Sequence, residues 1–315
     1  MKKNIAVVGC GHWGKNLVRN FAELKSLSSV CDPNIKLAQL YADDYEVDNL
    51  SFTEILKSQT IEGVVLAVPA PLHADMAIEA MNAGKHIFVE KPLAMNCKEA
   101  ERMIICAEKN NVKLMVGHLL QYHPVFSALK EIVQSGKLGS IRYIYSNRLS
   151  YGKLRTEEDV IWSFAPHDIS MILSLTDIEP TIVKRESSNI LQSNISDIAT
   201  IHMSFNANLN AHVSVSWLHP YKEQKLVVIG EESMLVFDDT KAWIEKLAHY
   251  SHTVTYKGNI PNLNKADVDF IKVPESEPLR NECKHFMDVV NTDIEPLTGG
   301  KEGLDVLKVL TAASF

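Results

Sequence analysis

The sequence has few of the features that mark several protein classes. Its five cysteines, Cys10, Cys31, Cys97, Cys106 and Cys283, are odd in number, scattered and without a C-x-x-C pair. That excludes a disulfide framework or a zinc site as an expectation and reads as small buried side chains in a reducing compartment. Positive charge is not in excess: 32 Lys and Arg stand against 39 Asp and Glu, a formal charge of −7. A chain so balanced lacks the basic footprint of nucleic-acid binding, so nucleic acid is not an expected partner. No apolar run approaches the ~18 residues that span a bilayer, and the one after Met1-Lys2-Lys3 stops at Val8, too short for an export signal. No membrane partner is therefore expected, and the expected location is cytoplasmic. No metal-ligand spacing, internal repeat or low-complexity segment stands out.

What is present is organised around Ile5-Ala6-Val7-Val8-Gly9-Cys10-Gly11-His12-Trp13-Gly14. A short apolar strand runs into three glycines at G-x-G-x-x-G spacing, and helical periodicity follows through Leu17, Phe21 and Leu24. Each glycine has a separate expected use: Gly9 makes the turn, Gly11 admits a pyrophosphate, and Gly14 lets helix and strand approach. The pyrophosphate is then expected on the N–H groups of a helix N-terminus, beside His12 and Trp13. A second apolar run ends at Asp32, where a ribose 2′-hydroxyl is held in such folds. No arginine closely follows it to take a 2′-phosphate, so NAD is the expected cofactor. The competing reading is a glycine turn in a cofactor-free α/β domain.

At 315 residues the chain exceeds what one core usually organises. Buried parallel strands are expected at 63–68, ending at Pro69 on the ligand edge, at 86–89, running into Glu90-Lys91-Pro92, and at 113–117. Helices are expected between them at 72–83 and 97–110. Strand–helix alternation then gives way to strands in succession. The expected fold is thus an α/β Rossmann N-terminal domain, 1–118, plus an α+β C-terminal domain, 119–315, with an open, mainly antiparallel sheet. The strands at 198–206 and 208–217 alternate, His202 and Ser204 on one face and Ile201, Met203 and Phe205 on the other. One face of that sheet is therefore expected to meet solvent or a partner, and a homodimer or homotetramer is expected through it. Residues 258–267 read as a polar loop.

Two residues stand out for chemistry beside a nicotinamide. Lys91 follows a strand expected to end at the ligand edge, and Pro92 fixes the backbone after it. His167, after Ala165-Pro166, is expected to open a helix at 165–175, whose N-terminus would favour a neutral, proton-accepting imidazole. The alternatives are a solvated lysine and a capping or core histidine. Near other expected strand ends lie His73, a candidate cofactor contact, and Tyr122 and His123, candidate substrate contacts; a structural role is the alternative for each.

Gly9 to Gly14, Glu90-Lys91-Pro92 and His167-Asp168 stand in the order and rough spacing of the Gfo/Idh/MocA oxidoreductases, and the sequence resembles that family over essentially its whole length. The resemblance implies that Lys91 and His167 act on a sugar or cyclitol hydroxyl, with Glu90, Lys91 and His73 on the cofactor side. It departs from the family where Ser163 replaces an acid or amide four residues before the histidine, and where Ala165 replaces a glycine. Residues 147–153 and 162–168 resemble members that oxidise the 3-hydroxyl of UDP-N-acetylhexosamines, which implies a UDP-sugar substrate. Arg148, Lys153 and Arg155 would suit its diphosphate, unless they pair with Glu157, Glu158 and Asp159 at the surface. Alternatives within the family are UDP-N-acetylglucosaminuronate, a free sugar or inositol. An alternative of another class is a non-catalytic NAD sensor. A pyridoxal-phosphate aminotransferase that consumes the ketosugar is the implied partner.

Overall fold

The computed structural model describes residues 2–314 except 153, 157 and 207, and all their side chains except that of Tyr256. The chain forms two compact units. One runs to Tyr122 and is resumed at Glu277–Leu307; the other comprises His123–Ser276 and the residues from Lys308 on.

The first unit alternates strand and helix: β1 (Ile5–Val8), α1 (Gly14–Glu23), β2 (Leu27–Cys31), α2 (Ile35–Tyr45), β3 (Asp48–Asn49), α3 (Phe52–Lys57), β4 (Gly63–Leu66), α4 (His73–Asn82), β5 (His86–Glu90), α5 (Cys97–Asn110) and β6 (Leu114–Gly117). The strands form one parallel sheet in the order β3-β2-β1-β4-β5-β6. β1, β4 and β6 are buried at every position, which is why they read as unbroken apolar runs. The strand order reverses between β1 and β4, so a crevice opens beyond their carboxyl ends, at Gly9 and at Ala67 to Pro69.

The second unit holds α6 (Pro124–Gln134), β7 (Ile141–Tyr151), α7 (Val160–Thr176), β8 (Ile182–Ser188), β9 (Ile198–Ser204), β10 (Asn210–Ser216), β11 (Leu218–Gly230), β12 (Met234–Asp238), β13 (Leu247–Tyr250), β14 (Thr253–Lys257), β15 (Ile260–Asn264) and β16 (Val268–Phe270). Eight strands form a sheet ordered β16-β13-β12-β11-β7-β10-β9-β8, antiparallel except for the β10–β7 pair. Ala199, Ile201 and Met203 of β9 and Ala211, Val213 and Val215 of β10 are buried on one face, towards α7. The other face carries His202, exposed, and the half-buried His212, Tyr143 and Tyr145. There the Tyr143 hydroxyl and His212 Nδ1 are 2.9 Å apart, and the His212 ring stacks on Tyr145.

Three features differ from the sequence reading. Residues 258–267 are not simply loop: β14 and β15 pair as a hairpin across Gly258-Asn259, with Gly258 at φ +62°. Val254 opposes Leu263 and Thr255 opposes Asn262; the asparagines and lysines hid this alternation. α7 begins at Val160, five residues before the expected start, because the Asp159 carboxylate accepts the N–H groups of Ile161 and Trp162 and caps it there. Finally, α8 (Pro278–Thr292) and the first part of α9 (Gly300–Ala312) belong to the first unit rather than to a domain spanning 119–315. Phe286 of α8 meets Phe21 of α1 and Phe88 of β5 edge to face, at 6.3 and 5.6 Å.

Candidate active site

In the first unit the three motif glycines are needed for different reasons. Gly9 has φ +93°, and a Cβ on it would stand 2.4 Å from the Ala67 carbonyl oxygen; one on Gly14 would stand 1.9 Å from the Gly9 oxygen. Both are demanded by the protein's own backbone. A Cβ on Gly11 would meet nothing within 4 Å. Packing leaves Gly11 open, so the space in front of it is available to a ligand. α1 starts just beyond, with no side-chain cap and no acid in its first turn, an arrangement that suits an anion on its N–H groups. His12 and Trp13 between the glycines are exposed.

Asp32 closes the other side of this loop. Its Oδ2 accepts the Cys10 N–H at 2.7 Å and its Oδ1 the Asn34 N–H at 2.8 Å. Each carboxylate oxygen retains acceptor capacity beyond that one bond. Burial, and then the Asp32 charge, push the Cys10 thiol up to about 12, so it is an inert neighbour. Pro69 starts the short turn Ala70–Leu72 after β4. His73 is 1% exposed, with Nδ1 2.8 Å from the Pro92 oxygen and Nε2 2.9 Å from the Val68 oxygen. Both ring nitrogens thus face backbone carbonyls, and His73 braces the turns after β4 and β5 instead of presenting its ring to a cofactor. Between those braced turns stand Glu90 and Lys91, and the Lys91–Pro92 bond is cis. Glu90 is buried and accepts the Trp13 indole N–H at 2.5 Å, a link that spacing in the sequence does not reveal.

Tyr122 is also in the first unit, but its hydroxyl lies 2.7 Å from Thr298 Oγ1 in a buried pair, and burial raises its pKa well above the ordinary value. This is a structural tyrosine and not the expected substrate contact. His123, in the second unit, is equally committed. Its Nδ1 accepts the Val125 N–H to cap α6, its Nε2 lies 3.4 Å from Asp239, and its ring stacks on Trp243. Burial would raise the Asp239 pKa, but hydrogen bonds from His123 and Lys246 outweigh it and hold Asp239 at about 2.

His167 lies on α7, seven residues beyond its first residue at Val160. The expected N-terminal dipole effect does not apply, because it fades within the first turn. Pro166 sits inside the helix, where it lacks the N–H for Trp162, and does not mark the start. Ser163 and His167 are four apart and share a helix face. The turn that carries them is fastened through Asp168, 1% exposed, which accepts Arg148 Nε at 2.5 Å, Arg148 Nη2 at 3.3 Å and Ser146 Oγ at 2.5 Å. Arg148 is therefore spent inside the protein and is not the diphosphate contact expected of it. Arg155 is half-exposed, 3.7 Å from Glu158. Lys153 and Glu157 lie outside the described residues.

A nucleotide-binding parallel sheet followed by a sheet-built second unit is the architecture of an NAD-dependent oxidoreductase. The family descriptions agree: residues 3–118 match the oxidoreductase family with NAD-binding Rossmann fold, and residues 126–236 match the GFO/IDH/MocA C-terminal domain. The chain belongs to the Gfo/Idh/MocA family. It is 24% identical to UDP-N-acetylglucosamine 3-dehydrogenase of Acidithiobacillus ferrooxidans over 96% of this chain and 93% of that one. A solved structure of that enzyme superposes with a TM-score of 0.87, covering 98% and 96% of the two chains. It is 25% identical to inositol 2-dehydrogenase of Salmonella typhimurium, over 86% and 84%. The WlbA dehydrogenase of Bordetella pertussis, solved in complex with NADH and UDP-GlcNAcA, is 21% identical with a TM-score of 0.80, over 100% and 96%. The likenesses to solved structures show the fold. NAD is the cofactor of this family's first domain, and the open Gly11 cradle, the uncapped α1 and Asp32 fit it.

Proposed function

We propose that this protein oxidises the 3-hydroxyl of UDP-N-acetylglucosamine to the 3-keto sugar nucleotide, with one NAD reduced to NADH and one proton released per turnover. The observation that carries the reading is similarity along nearly the full length to a UDP-N-acetylglucosamine 3-dehydrogenase, together with Lys91 and His167 in the family's catalytic order. NAD, when bound, supplies the acceptor for the hydride that leaves C3. The chain's own residues handle the proton and the charge. The role assigned to His167 is to accept the hydroxyl proton, and that assigned to the Lys91 ammonium group is to stabilise the negative charge that develops as the proton leaves. Ser163, one turn before His167, stands where relatives place an acid or amide and offers a hydroxyl to the sugar. Gly9 and Gly14 shape the loop, and Gly11 with the loop residues His12 and Trp13 holds the pyrophosphate; Asp32 accepts from the ribose hydroxyls, which favours NAD over NADP. Arg155, half-exposed and 3.7 Å from Glu158, is the residue assigned to the UDP diphosphate.

The open face of the second unit's sheet, with Tyr143, Tyr145, His202 and His212, serves self-association into a dimer or tetramer. A pyridoxal-phosphate aminotransferase consumes the ketosugar. Inositol is the second reading, supported by the 25% identity to an inositol dehydrogenase. One experiment separates them: purified protein and NAD are incubated with UDP-N-acetylglucosamine, its uronate, free sugars and inositol, with an aminotransferase present to remove ketosugar. NADH formed only with UDP-N-acetylglucosamine supports the proposal. NADH with inositol alone, or with none of them, refutes it.

A further inference from the structure

The buried stripe of α8 is Leu279, Glu282, Cys283, Phe286, Met287 and Val289, and one of these six is an acid. Glu282 is 0% exposed, and neither carboxyl oxygen has a hydrogen-bond partner among the described residues. An apolar side chain would serve packing better, since an unpartnered buried carboxyl group is costly even when neutral. Its presence calls for an explanation.

The register of α8 against β5 says what Glu282 faces. Phe88 and Phe286 meet with ring centroids 5.6 Å apart. Two residues further along β5, on the same side of the strand, comes Glu90, a rise of ~7 Å. One turn back along α8, on the same face, comes Glu282, a rise of ~6 Å. The end of α8 lies at the strand starts, with Asn291 bonded to Asn4 and Val290 against Gly63, so α8 runs antiparallel to β5 and the two carboxyl groups stand opposite each other. Burial, and after it the Glu90 charge, hold the Glu282 pKa well above the ordinary range.

Glu90 is differently placed, because it has donors. Its Oε1 accepts the Trp13 indole N–H at 2.5 Å and its Oε2 the Lys91 backbone N–H at 3.3 Å. Gly117 makes room for it: a Cβ there would stand 3.0 Å from Glu90 Oε2. Burial raises the Glu90 pKa as well, opposed by the Trp13 hydrogen bond and the Lys91 charge. With two donors on Glu90 and none on Glu282, hydrogen bonding favours ionisation of Glu90 over that of Glu282. The other titratable groups around the pair are His118, itself 2.7 Å from Glu302, and Tyr122 and Cys283.

We propose that Glu90 is a positioning residue of the nucleotide site, an acceptor that fastens the glycine-rich loop to the Lys91 turn through the Trp13 indole, and that Glu282 opposite it is held as the neutral acid. The proposal rests on NAD binding by the first unit and not on the identity of the sugar. Trp13 lies between Gly11 and Gly14, so the tie fixes the loop that receives the pyrophosphate.

The test is NADH binding, followed by fluorescence titration, for Trp13→Phe, Glu90→Ala, Glu90→Gln and the double variant Trp13→Phe/Glu90→Ala. Each of Trp13→Phe and Glu90→Ala is expected to weaken NADH about tenfold, and the double variant no more than either alone, because both cut one tie. Glu90→Gln is expected to recover most of the loss, since its amide oxygen accepts the same N–H. In the NADH-free protein the Trp13 indole proton resonance is expected downfield, moving to the free-indole position in Glu90→Ala. Losses that simply add, or a wild-type indole signal at the free position, overturn the tie. Glu282 is tested by urea unfolding against pH. Below about pH 4.3 the acid is protonated folded and unfolded; above it only the unfolded chain ionises. Wild type should therefore lose up to about tenfold in its folding equilibrium constant, relative to Glu282→Gln, for each pH unit between that point and the raised folded-state value. A difference that stays flat with pH overturns the neutral-acid assignment. Neither readout involves sugar, so failure of the sugar assignment leaves them standing.

Discussion

Replacing Gly11 and Gly14 by alanine in turn separates what the fold needs from what the cofactor needs. At Gly14 the new methyl would lie 1.9 Å from the Gly9 oxygen and 2.8 Å from the Gly9 carbonyl carbon. Both are backbone atoms, so relief requires the loop to shift, and a loss of about 3 kcal/mol is expected, at the upper end for overpacking. At Gly11 the methyl meets no protein atom within 4 Å, so stability should change by less than about 0.5 kcal/mol. The methyl would instead hold the pyrophosphate away from the loop. Losing one hydrogen bond from N–H to charged phosphate, worth about 1.5–3 kcal/mol, raises the NADH dissociation constant roughly 10- to 100-fold. Urea titration measures the first quantity and fluorescence titration with NADH the second. Were Gly11→Ala to bind NADH as wild type does, the nucleotide would not lie against this loop.

The remaining predictions concern single residues. Asp32→Ala should weaken NAD more than NADP in parallel binding titrations; equal losses would refute the ribose contact. Arg148→Ala leaves the buried Asp168 carboxylate without its cationic partner, with only the Ser146 hydroxyl still donating to it, and should lower stability in urea by about 3 kcal/mol. Arg155→Ala should instead raise the KM for the UDP-sugar with little change in stability. Asp239, held at about 2 against about 3.9 when unfolded, contributes stability that is complete above that unfolded value and lost as pH falls towards 2. Asp239→Asn should therefore cost about 2–3 kcal/mol at neutral pH and flatten the acid arm of the stability profile.

The nucleotide half was legible because its signals are local. Each buried strand is a continuous apolar run, and glycine spacing and an acid at a strand end are short-range patterns. What escaped was decided by contacts distant in sequence. Arg148 looked like a diphosphate ligand because Asp168, 20 residues on, is named in the chain without its burial. His73, Tyr122 and His123 stood at strand ends, as ligand residues do, yet hydrogen bonds to Pro92, Thr298 and Asp239 absorb them. α8 joins the first unit through Phe286, which periodicity alone cannot assign to one sheet or the other. Glu282 passed unnoticed because a lone acid in an amphipathic helix reads as solvated. Its position one turn before Phe286 was the available signal.

The most direct measurement is NADH absorbance with time for wild type, Lys91→Ala and His167→Ala, given NAD and UDP-N-acetylglucosamine with an aminotransferase to draw off the ketosugar. Wild type should form NADH, and each variant should lose at least about 100-fold in kcat, the usual scale for a missing proton acceptor or its partner, while fluorescence titration shows NADH still bound. Absence of NADH from wild type with every UDP-sugar, or variants as fast as wild type, would contradict the assignment of these two residues to the oxidation.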